Sequence, residues 1–184
     1  MTNLQPPLPQ NEVDRLCELA TLGASRASSA LAALVALPIH HDAPRVCRPT
    51  DPTPAGCWST GIVFEAEGDL SGMVAIVLPE DRCHIAVERM LGREDVPMDL
   101  AESALRELGN IIASHTVSAM ADALDTTILL SVPTLAIRDA GVVLGSLIAE
   151  RSAQVRIETE LLGPDGGIEV LLVFVPESHE PGPL

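Results

Sequence analysis

Residues 103–122 read SALRELGNIIASHTVSAMAD, and the apolar side chains of this stretch recur every three or four positions. That spacing predicts an amphipathic helix with one side in a core. Three polar residues, Ser103, Glu107 and Asn110, fall on one line along the helix, because steps of four and seven residues return to within roughly 40° of the starting direction. Most exposed helices carry a solvated polar stripe, so the meaning of this line depends on the rest of the chain.

The same pattern occurs earlier in the chain. An offset of 89 residues (103 minus 14) lays residues 14–33, DRLCELATLGASRASSALAA, over residues 103–122. The identical pairs are Leu16 with Leu105, Glu18 with Glu107, Leu19 with Leu108, Ala24 with Ala113, Ser25 with Ser114, Ser29 with Ser118, Ala30 with Ala119 and Ala32 with Ala121. Shared amphipathicity does not require polar positions to match, so the pattern indicates an internal duplication.

The duplication predicts a single domain over residues 11–176, made of one copy at about 11–92 and another at about 99–176. The segments 1–10 and 177–184 are expected to be flexible. The predicted fold class is α+β in two layers. It consists of a mainly antiparallel sheet with two long helices packed on one face and related by a pseudo-twofold axis.

The long helices are predicted at about 11–37 and 100–124, with Asp99 as the N-cap of the second. Residues 38–57 hold five prolines and are predicted as a loop with one irregular strand. The continuous apolar run 73–78 indicates a central strand. The other elements are strands in WSTGIVFEAEG and LSGMVAIVLPE, a helix EDRCHIAVERMLG ending at Gly92, a strand TTILLSVP ending at Pro133, a helix from Arg138, and strands in QVRIETELLG and GIEVLLVFVP.

The composition limits the classes of function. The chain has 184 residues, of which 47% are hydrophobic and 2% aromatic, and its formal net charge is −15. Nucleic acids and anionic membrane surfaces bind basic patches, so neither is an expected partner. The first residues show no charged segment followed by an apolar one, and no apolar run approaches a membrane-spanning length. A cytoplasmic location is therefore expected.

Four cysteines, at positions 17, 47, 57 and 83, have no CxxC spacing and are expected to be free thiols in a reducing compartment. The alternative is a zinc site formed by Cys47 and Cys57 with His40 and His41. Nine residues separate the two cysteines, a spacing that matches no common zinc motif. No metal site is predicted.

The polar line along residues 103–122 also resembles a known signature. In the CheC / CheX / FliY family of chemotaxis phosphatases, a long helix carries Asp or Ser, three residues, Glu, two residues and Asn. The second copy has the full pattern, and the first copy ends in Thr21 instead of Asn. Three segments extend the similarity: LSGMVAIVLPEDRCHIAVERMLG before the second helix, ALRELGNIIASHTVSAMADAL as that helix, and GIEVLLVFVPE as the closing strand.

The resemblance implies dephosphorylation of the aspartyl phosphate of a CheY-like receiver domain, in chemotaxis or related two-component signalling. Asn110 would orient the attacking water, because a carboxamide accepts a hydrogen bond from water and donates one to a phosphoryl oxygen without adding charge. Glu107 would bind the active-site Lys of the receiver. Ser103 would either orient Glu107 or simply lie on a polar face of the helix. The Mg²⁺ would belong to the receiver, so no cofactor is expected on this chain.

Asp14, Glu18 and Thr21 form the corresponding first site. Thr has a shorter side chain than Asn, and its branched Cβ restricts its rotamers. This site is therefore expected to be degenerate, with Glu18 keeping a role in docking the receiver. The alternative for Asp14 and Glu18 is simple surface solvation.

Two other functions stay open at this point. Because one of the two sites has decayed, the same fold could serve as a non-catalytic or weakly catalytic adaptor that binds receivers or the CheD deamidase. It could also be a structural domain without a site. Both a monomer and a homodimer are compatible with the sequence.

Overall fold

The protein is described by a computed structural model that covers residues 8–48, 51, 58–151 and 153–177. The two end segments predicted to be flexible, 1–10 and 177–184, lie outside this part of the chain except for residues 8–10 and Glu177. Their flexibility therefore stays a prediction.

The described residues form four α-helices: α1 (Gln10–Val35), α2 (Glu80–Leu91), α3 (Met98–Leu124) and α4 (Ala140–Glu150). The two long helices, α1 and α3, agree with their predicted bounds to within two residues at each end. Helix α2 ends as predicted at Gly92, whose φ of 62° lies in the left-handed region that glycine tolerates best.

The predicted N-cap of α3 at Asp99 is wrong. The helix begins at Met98, and Pro97 occupies the cap position with a φ of −56°. Proline suits a helix start because its fixed φ is close to the helical value and its missing N–H needs no partner there. Asp99 lies instead in the first turn, where its carboxylate meets the positive end of the helix dipole.

Eight strands of the described residues form one sheet. They are β1 (His40–His41), β2 (Arg45–Cys47), β3 (Trp58–Gly68), β4 (Gly72–Pro79), β5 (Ile128–Leu130), β6 (Thr134–Ile137), β7 (Arg156–Leu162) and β8 (Glu169–Pro176). Their order is β1-β7-β8-β4-β3-β5, with β2 also paired to β7 and β6 to β3. Every pairing is antiparallel, as predicted.

This strand order has the symmetry expected of a duplication. Exchanging β1 with β5, β2 with β6, β3 with β7 and β4 with β8 leaves the order and both side pairings unchanged. The centre of the sheet is the β4–β8 pair, where Ala75 lies opposite Val173 and Ile76 opposite Leu172. The short strands of each copy pair with a long strand of the other copy, so the two copies complete one sheet together.

The central strand β4 is buried on both faces, as its apolar run predicted. Alternate side chains of a strand point to opposite faces, and in β4 each set lies in a different core. Helices α1 and α3 both cover one face, which confirms their predicted arrangement, and α4 covers the other. The β4 residues on the α1–α3 face are Val74, Ile76 and Leu78, and those on the α4 face are Met73, Ala75 and Val77.

The segment after α3 differs from the prediction. Strand β5 ends at Leu130 rather than at Pro133, and the next residues form β6 on the edge of β3. The predicted helix start at Arg138 is wrong, because Arg138 and Asp139 have left-handed φ values of 65° and 63° and turn the chain into α4 at Ala140. The left-handed turn and the edge pairing with β3 depend on tertiary contacts that the local sequence pattern does not signal, which explains the error.

The prediction of a loop with one irregular strand after α1 is wrong, because this segment contains two short strands, β1 and β2, that pair with β7. Strand β2 places Arg45 opposite Glu158 of β7. Glu158 accepts hydrogen bonds from Arg156 Nε and from Arg45 Nη2, each at 2.7 Å. Arg156 also donates to the carbonyl oxygens of Arg48 at 2.8 Å and Asp51 at 3.0 Å. Since the side chains of Arg156 and Glu158 are 1% and 2% exposed, buried charges tie this segment to β7.

Burial alone would raise the pKa of Glu158, but hydrogen bonds from Arg156 and then Arg45 outweigh it and hold that pKa below its ordinary value. Such a carboxylate stabilises the fold at pH values above its pKa in the unfolded chain. The stabilisation is lost as the pH falls through its lower pKa in the folded protein. We expect Glu158→Gln to lower the free energy of unfolding by on the order of 3 kcal/mol at neutral pH. The difference should shrink below about pH 4.3, as measured by denaturant titrations.

Glu160→Gln is the control, because Glu160 lies on the same strand and has no ion pair in the described part of the chain. Its free energy of unfolding should stay within about 0.5 kcal/mol of the parent. Equal effects of the two substitutions at neutral pH would contradict the role of the buried pair.

Candidate active site

Ser103, Glu107 and Asn110, here called the second ridge, lie along the solvent side of α3. Ser103 and Glu107 are exposed and Asn110 is partly exposed. The opposite side of the helix is buried, with Leu105, Leu108 and Ile112 at 5%, 0% and 0% exposure. Among the described residues, no hydrogen bond or ion pair involves a side chain of the second ridge. The predicted orientation of α3 is confirmed, and the ridge is available to a partner.

Gly109 explains how Asn110 is held in place. A Cβ atom built on Gly109 would lie 2.6 Å from Cγ2 and 2.9 Å from Cβ of Ile62, a residue of β3 that is fully buried. A side chain at this position would push the helix away from the sheet. The missing side chain lets α3 rest directly on β3, one residue before Asn110.

Asp14, Glu18 and Thr21, here called the first ridge, are all exposed on α1. Asp14 accepts a hydrogen bond from Gln10 Nε2 at 2.9 Å. The Thr21 hydroxyl donates to the carbonyl oxygen of Cys17 at 2.8 Å, within the same helix. The polar atom that replaces the amide of Asn110 is thus turned toward its own backbone.

Helices α1 and α3 pack against each other on the sheet, and the start of α1 lies near the end of α3, since Leu16, Leu19 and Leu124 line the same cavity. Gly23 of α1 faces Thr116 and Met120 of α3, and a Cβ atom on Gly23 would lie 2.8 Å from Thr116 Cγ2. Arg26 Nη2 of α1 also lies 3.5 Å from Asp122 Oδ2 of α3. This packing, with the twofold strand order, places the two ridges on the outer surface of the helix layer near opposite ends.

The second ridge lies on a convex helix surface. A cavity of about 680 Å³ borders the N-terminal part of α3, but its walls include Ala101, Glu102 and Leu105 and none of the three ridge residues. Small-molecule sites are usually concave and enclose most of their ligand. A convex polar ridge suits the surface of a macromolecular partner better than a free metabolite.

The candidate zinc ligands are only partly covered by the structure. His40 and His41 form β1, Cys47 is a buried free thiol in β2, and Cys57 lies outside the described residues. Within the described ranges, no three His, Cys, Asp or Glu side chains gather in a group that could hold a metal ion.

Arg106 is a neighbour of the second ridge that the sequence pattern did not single out. It is exposed one helical turn before Asn110, and its Nη1 lies 3.8 Å from Glu102 Oε2. The motif of Ser103, Glu107 and Asn110 allows any residue at position 106. Comparison of the two copies is the signal that could have found it, because the offset of 89 residues places Cys17 at the same position in the first copy.

Comparison with known proteins agrees with the predicted resemblance. Residues 100–137, which include most of α3, match the model of the CheC-like family. Over 155 residues the chain is 25% identical to the CheY-P phosphatase CheC of Bacillus subtilis (strain 168), and the match covers 78% of this chain and 74% of that protein. The resemblance to the CheC-like family is confirmed, as a distant one.

Solved structures share the fold over most of the chain. FliY from Thermotoga maritima matches with a TM-score of 0.68 at 16% identity, covering 91% of each chain. A chain of the CheX–CheY–BeF3–Mg²⁺ complex from Borrelia burgdorferi matches with a TM-score of 0.65 at 14% identity, covering 88% of this chain and 99% of that one. These likenesses confirm the predicted fold class.

Among the described residues, none of the helices is both long enough and apolar enough to cross a bilayer.

The contact at Gly109 predicts a measurable cost. Alanine is about 1 kcal/mol better than glycine inside a helix, so without a clash Gly109→Ala would stabilise the protein. Because Ile62 has no room to move in a filled core, we expect Gly109→Ala to destabilise the protein by about 1–2 kcal/mol, as measured by chemical denaturation.

The matched control is Ser118→Ala, at an exposed position of the same helix. It should leave the stability unchanged or raise it slightly, since alanine is the better helix former. A gain of stability in Gly109→Ala would contradict the tight contact with Ile62.

Proposed function

We propose that this protein hydrolyses the aspartyl phosphate of a CheY-like receiver domain, in chemotaxis or a related two-component pathway, with the second ridge as the reacting surface. The observation that carries the proposal is the ridge: Ser103, Glu107 and Asn110 face solvent together on a helix that matches the CheC-like family. The relative in Bacillus subtilis is a CheY-P phosphatase.

The hydrolysis requires the protein mainly to position a water molecule, and it requires no covalent bond to the protein. The oxygen of a water molecule attacks phosphorus, and the bond between phosphorus and the aspartyl oxygen breaks. The products are inorganic phosphate and the free aspartate carboxylate, and the proton lost by the water passes to phosphate or solvent. An acyl phosphate already has a good leaving group, so placing the water in line is the main contribution left to the protein.

Asn110 is the residue suited to place that water. Its carboxamide oxygen accepts a hydrogen bond from the water, and its NH₂ group donates to a phosphoryl oxygen. The side chain is neutral and does not repel the phosphoryl group as a carboxylate would. The close packing of Gly109 on Ile62 fixes the backbone beside Asn110, while the partly exposed side chain of Asn110 is accessible to a partner.

Glu107 and Ser103 support the docking of the receiver. The exposed carboxylate of Glu107 can form a charge-assisted hydrogen bond with the ammonium group of a receiver lysine. Ser103 lies four residues earlier on the same side of the helix, within reach of Glu107, and orients that carboxylate. The Mg²⁺ needed by a receiver belongs to the receiver, and no residue of this chain is assigned to it.

An adaptor function is the second candidate, and the first ridge favours it. Asp14 and Glu18 are exposed there, but the Thr21 hydroxyl is bonded to Cys17 O. Such a surface can bind a receiver, or a partner such as CheD, without placing a water. In this alternative the whole protein binds phosphorylated receivers and releases no phosphate from them.

The proposal predicts different losses at the two main positions. Asn110→Ala should lower the rate constant of phosphate release on the order of 10²-fold while leaving receiver affinity nearly unchanged, because the amide acts in the transition state. Glu107→Ala should weaken both rate and affinity, because the carboxylate also binds the ground state. The measurements are phosphate release from several phosphorylated receivers and binding of the same receivers by calorimetry.

Ser118→Ala serves again as the control on α3 and should release phosphate at the parental rate. If Asn110→Ala keeps full activity, the site is misassigned. If the parent protein binds phosphorylated receivers but accelerates none of them, the adaptor function holds instead.

The first ridge gives a test by gain of function. In an Asn110→Ala background, Thr21→Asn rebuilds the Asp, Glu, Asn pattern in the first copy. Phosphate release should rise measurably above that of Asn110→Ala alone, because the missing amide returns to an exposed ridge. Thr21→Ala in the parent protein should change little. A rate for Thr21→Asn no higher than the background would show that the first copy lacks more than the amide.

A further inference from the structure

We infer that Arg106 binds the phosphoryl oxygens of the substrate during hydrolysis. This assignment rests on the proposed function of the second ridge and adds a residue to it. Arg106 is exposed on α3 immediately before Glu107, and the sequence signature of the ridge does not include it.

The geometry of the helix places Arg106 beside the reacting group. At about 100° per residue, Arg106 stands about 40° to one side of Asn110 around the helix axis and Glu107 about 60° to the other side. Residues four apart have Cβ atoms about 6 Å from each other, and helical side chains lean toward the N-terminus. The carboxamide of Asn110 therefore leans over the turn that Arg106 and Glu107 occupy.

The two flanks of Asn110 carry opposite charges, which matches the charges expected on the partner. A phosphoryl group held by Asn110 is anionic and can take the guanidinium of Arg106 on one flank, while Glu107 takes a cation of the receiver on the other. Arg suits this role because its planar fork donates two parallel hydrogen bonds to phosphate oxygens. With 26 acidic and 11 basic residues in the chain, a local cation also offsets the general repulsion of an anion.

The present partner of Arg106 does not hold it firmly. Its Nη1 lies 3.8 Å from Glu102 Oε2, and the two side chains are 45% and 37% exposed. Exposed ion pairs within one helix stabilise a protein by about 0.5 kcal/mol or less. Exchanging this contact for hydrogen bonds to a phosphoryl group costs little.

The first copy supports the assignment by what it lacks. The offset of 89 residues that aligns Glu18 with Glu107 and Thr21 with Asn110 aligns Cys17 with Arg106. Burial, and then the nearby Asp14 carboxylate, raise the pKa of the Cys17 thiol, so that side chain is neutral near pH 7. The copy that has lost the amide thus also has no cation on this flank.

The first experiment compares substitutions of Arg106 on the receiver that the parent protein dephosphorylates fastest. Arg106→Ala should lower kcat on the order of 10²-fold, because it removes one donor to the phosphoryl group. The kcat of Arg106→Lys should lie between that of the parent and that of Arg106→Ala, because lysine keeps the charge but loses the planar fork. The same receiver is then bound with and without beryllofluoride and Mg²⁺. Arg106→Ala should lose most of the preference for the beryllofluoride form.

Two controls separate this role from a structural one. Glu102→Gln removes the ion pair of Arg106 but should leave kcat within about twofold of the parent. Arg26→Ala makes the same change of charge at an exposed arginine paired to Asp122, which lies twelve residues, or about 18 Å, along α3 from Asn110. It should also keep parental kcat.

The inference is overturned if Arg106→Ala keeps both parental kcat and the parental preference, or if Glu102→Gln loses as much activity as Arg106→Ala. Failure of the proposed function looks different, because then the parent protein itself releases no phosphate from any receiver.

The first copy provides the second experiment. In the protein carrying Asn110→Ala and Thr21→Asn, Cys17→Arg should raise the rate of phosphate release several-fold. Cys17→Gln, which introduces a polar side chain without a charge, should not raise it. An equal effect of Arg and Gln at position 17 counts against a role of the guanidinium on the phosphoryl group.

Discussion

The fold depends on the central β4–β8 pair, whose side chains are apolar on both faces. Such a pair is stable in water only when both faces are covered, and α1 with α3 on one side and α4 on the other provide the cover. Covering one face with two long helices that lie side by side fixes which side of each helix is buried. The other side is left without a packing role, and that side carries the two ridges.

Duplication and divergence act on different sides of the same helices. The strand order is unchanged when the copies are exchanged, so each copy needs the other to complete its half of the sheet. Buried positions are thereby constrained in both copies: Leu19 and Leu108, at corresponding positions, are both buried. The ridge side chains face solvent instead of the buried core. Thr21 stands where the second copy has Asn110, and the strand order of the two copies is nevertheless the same. Under the proposed function, the first copy has lost its chemistry and is still required to complete the sheet.

The sequence predicted the elements with strong periodicity and missed those set by tertiary contacts. Long helices, the central strand and the outward direction of Glu107 and Asn110 follow from repeat spacing. Strand β6 and the start of α4 depend on edge pairing with β3 and on left-handed backbone at Arg138 and Asp139, which no local pattern signals. The buried pair of Arg156 and Glu158 depends on strand register, which is likewise not readable from charge spacing. Of the proposed site, the motif residues come from the sequence pattern, whereas Arg106 is proposed only from a comparison of the two copies and from the helix geometry.

The charge of the protein bears on how such a site can work. A chain of net charge −15 repels anionic partners at long range, and this repulsion falls off over a Debye length of about 10 Å at 0.1 M salt. Under the proposed function, recognition of a phosphorylated receiver must therefore come from short-range contacts at the second ridge rather than from electrostatic steering. A neutral amide between one cation and one carboxylate can make such short-range contacts, because the amide adds no charge of its own. The cation can then bind an anionic group of the partner, and the carboxylate can bind a cationic one. The roles proposed for Arg106, Glu107 and Asn110 follow from the need to bind an anion on an acidic protein.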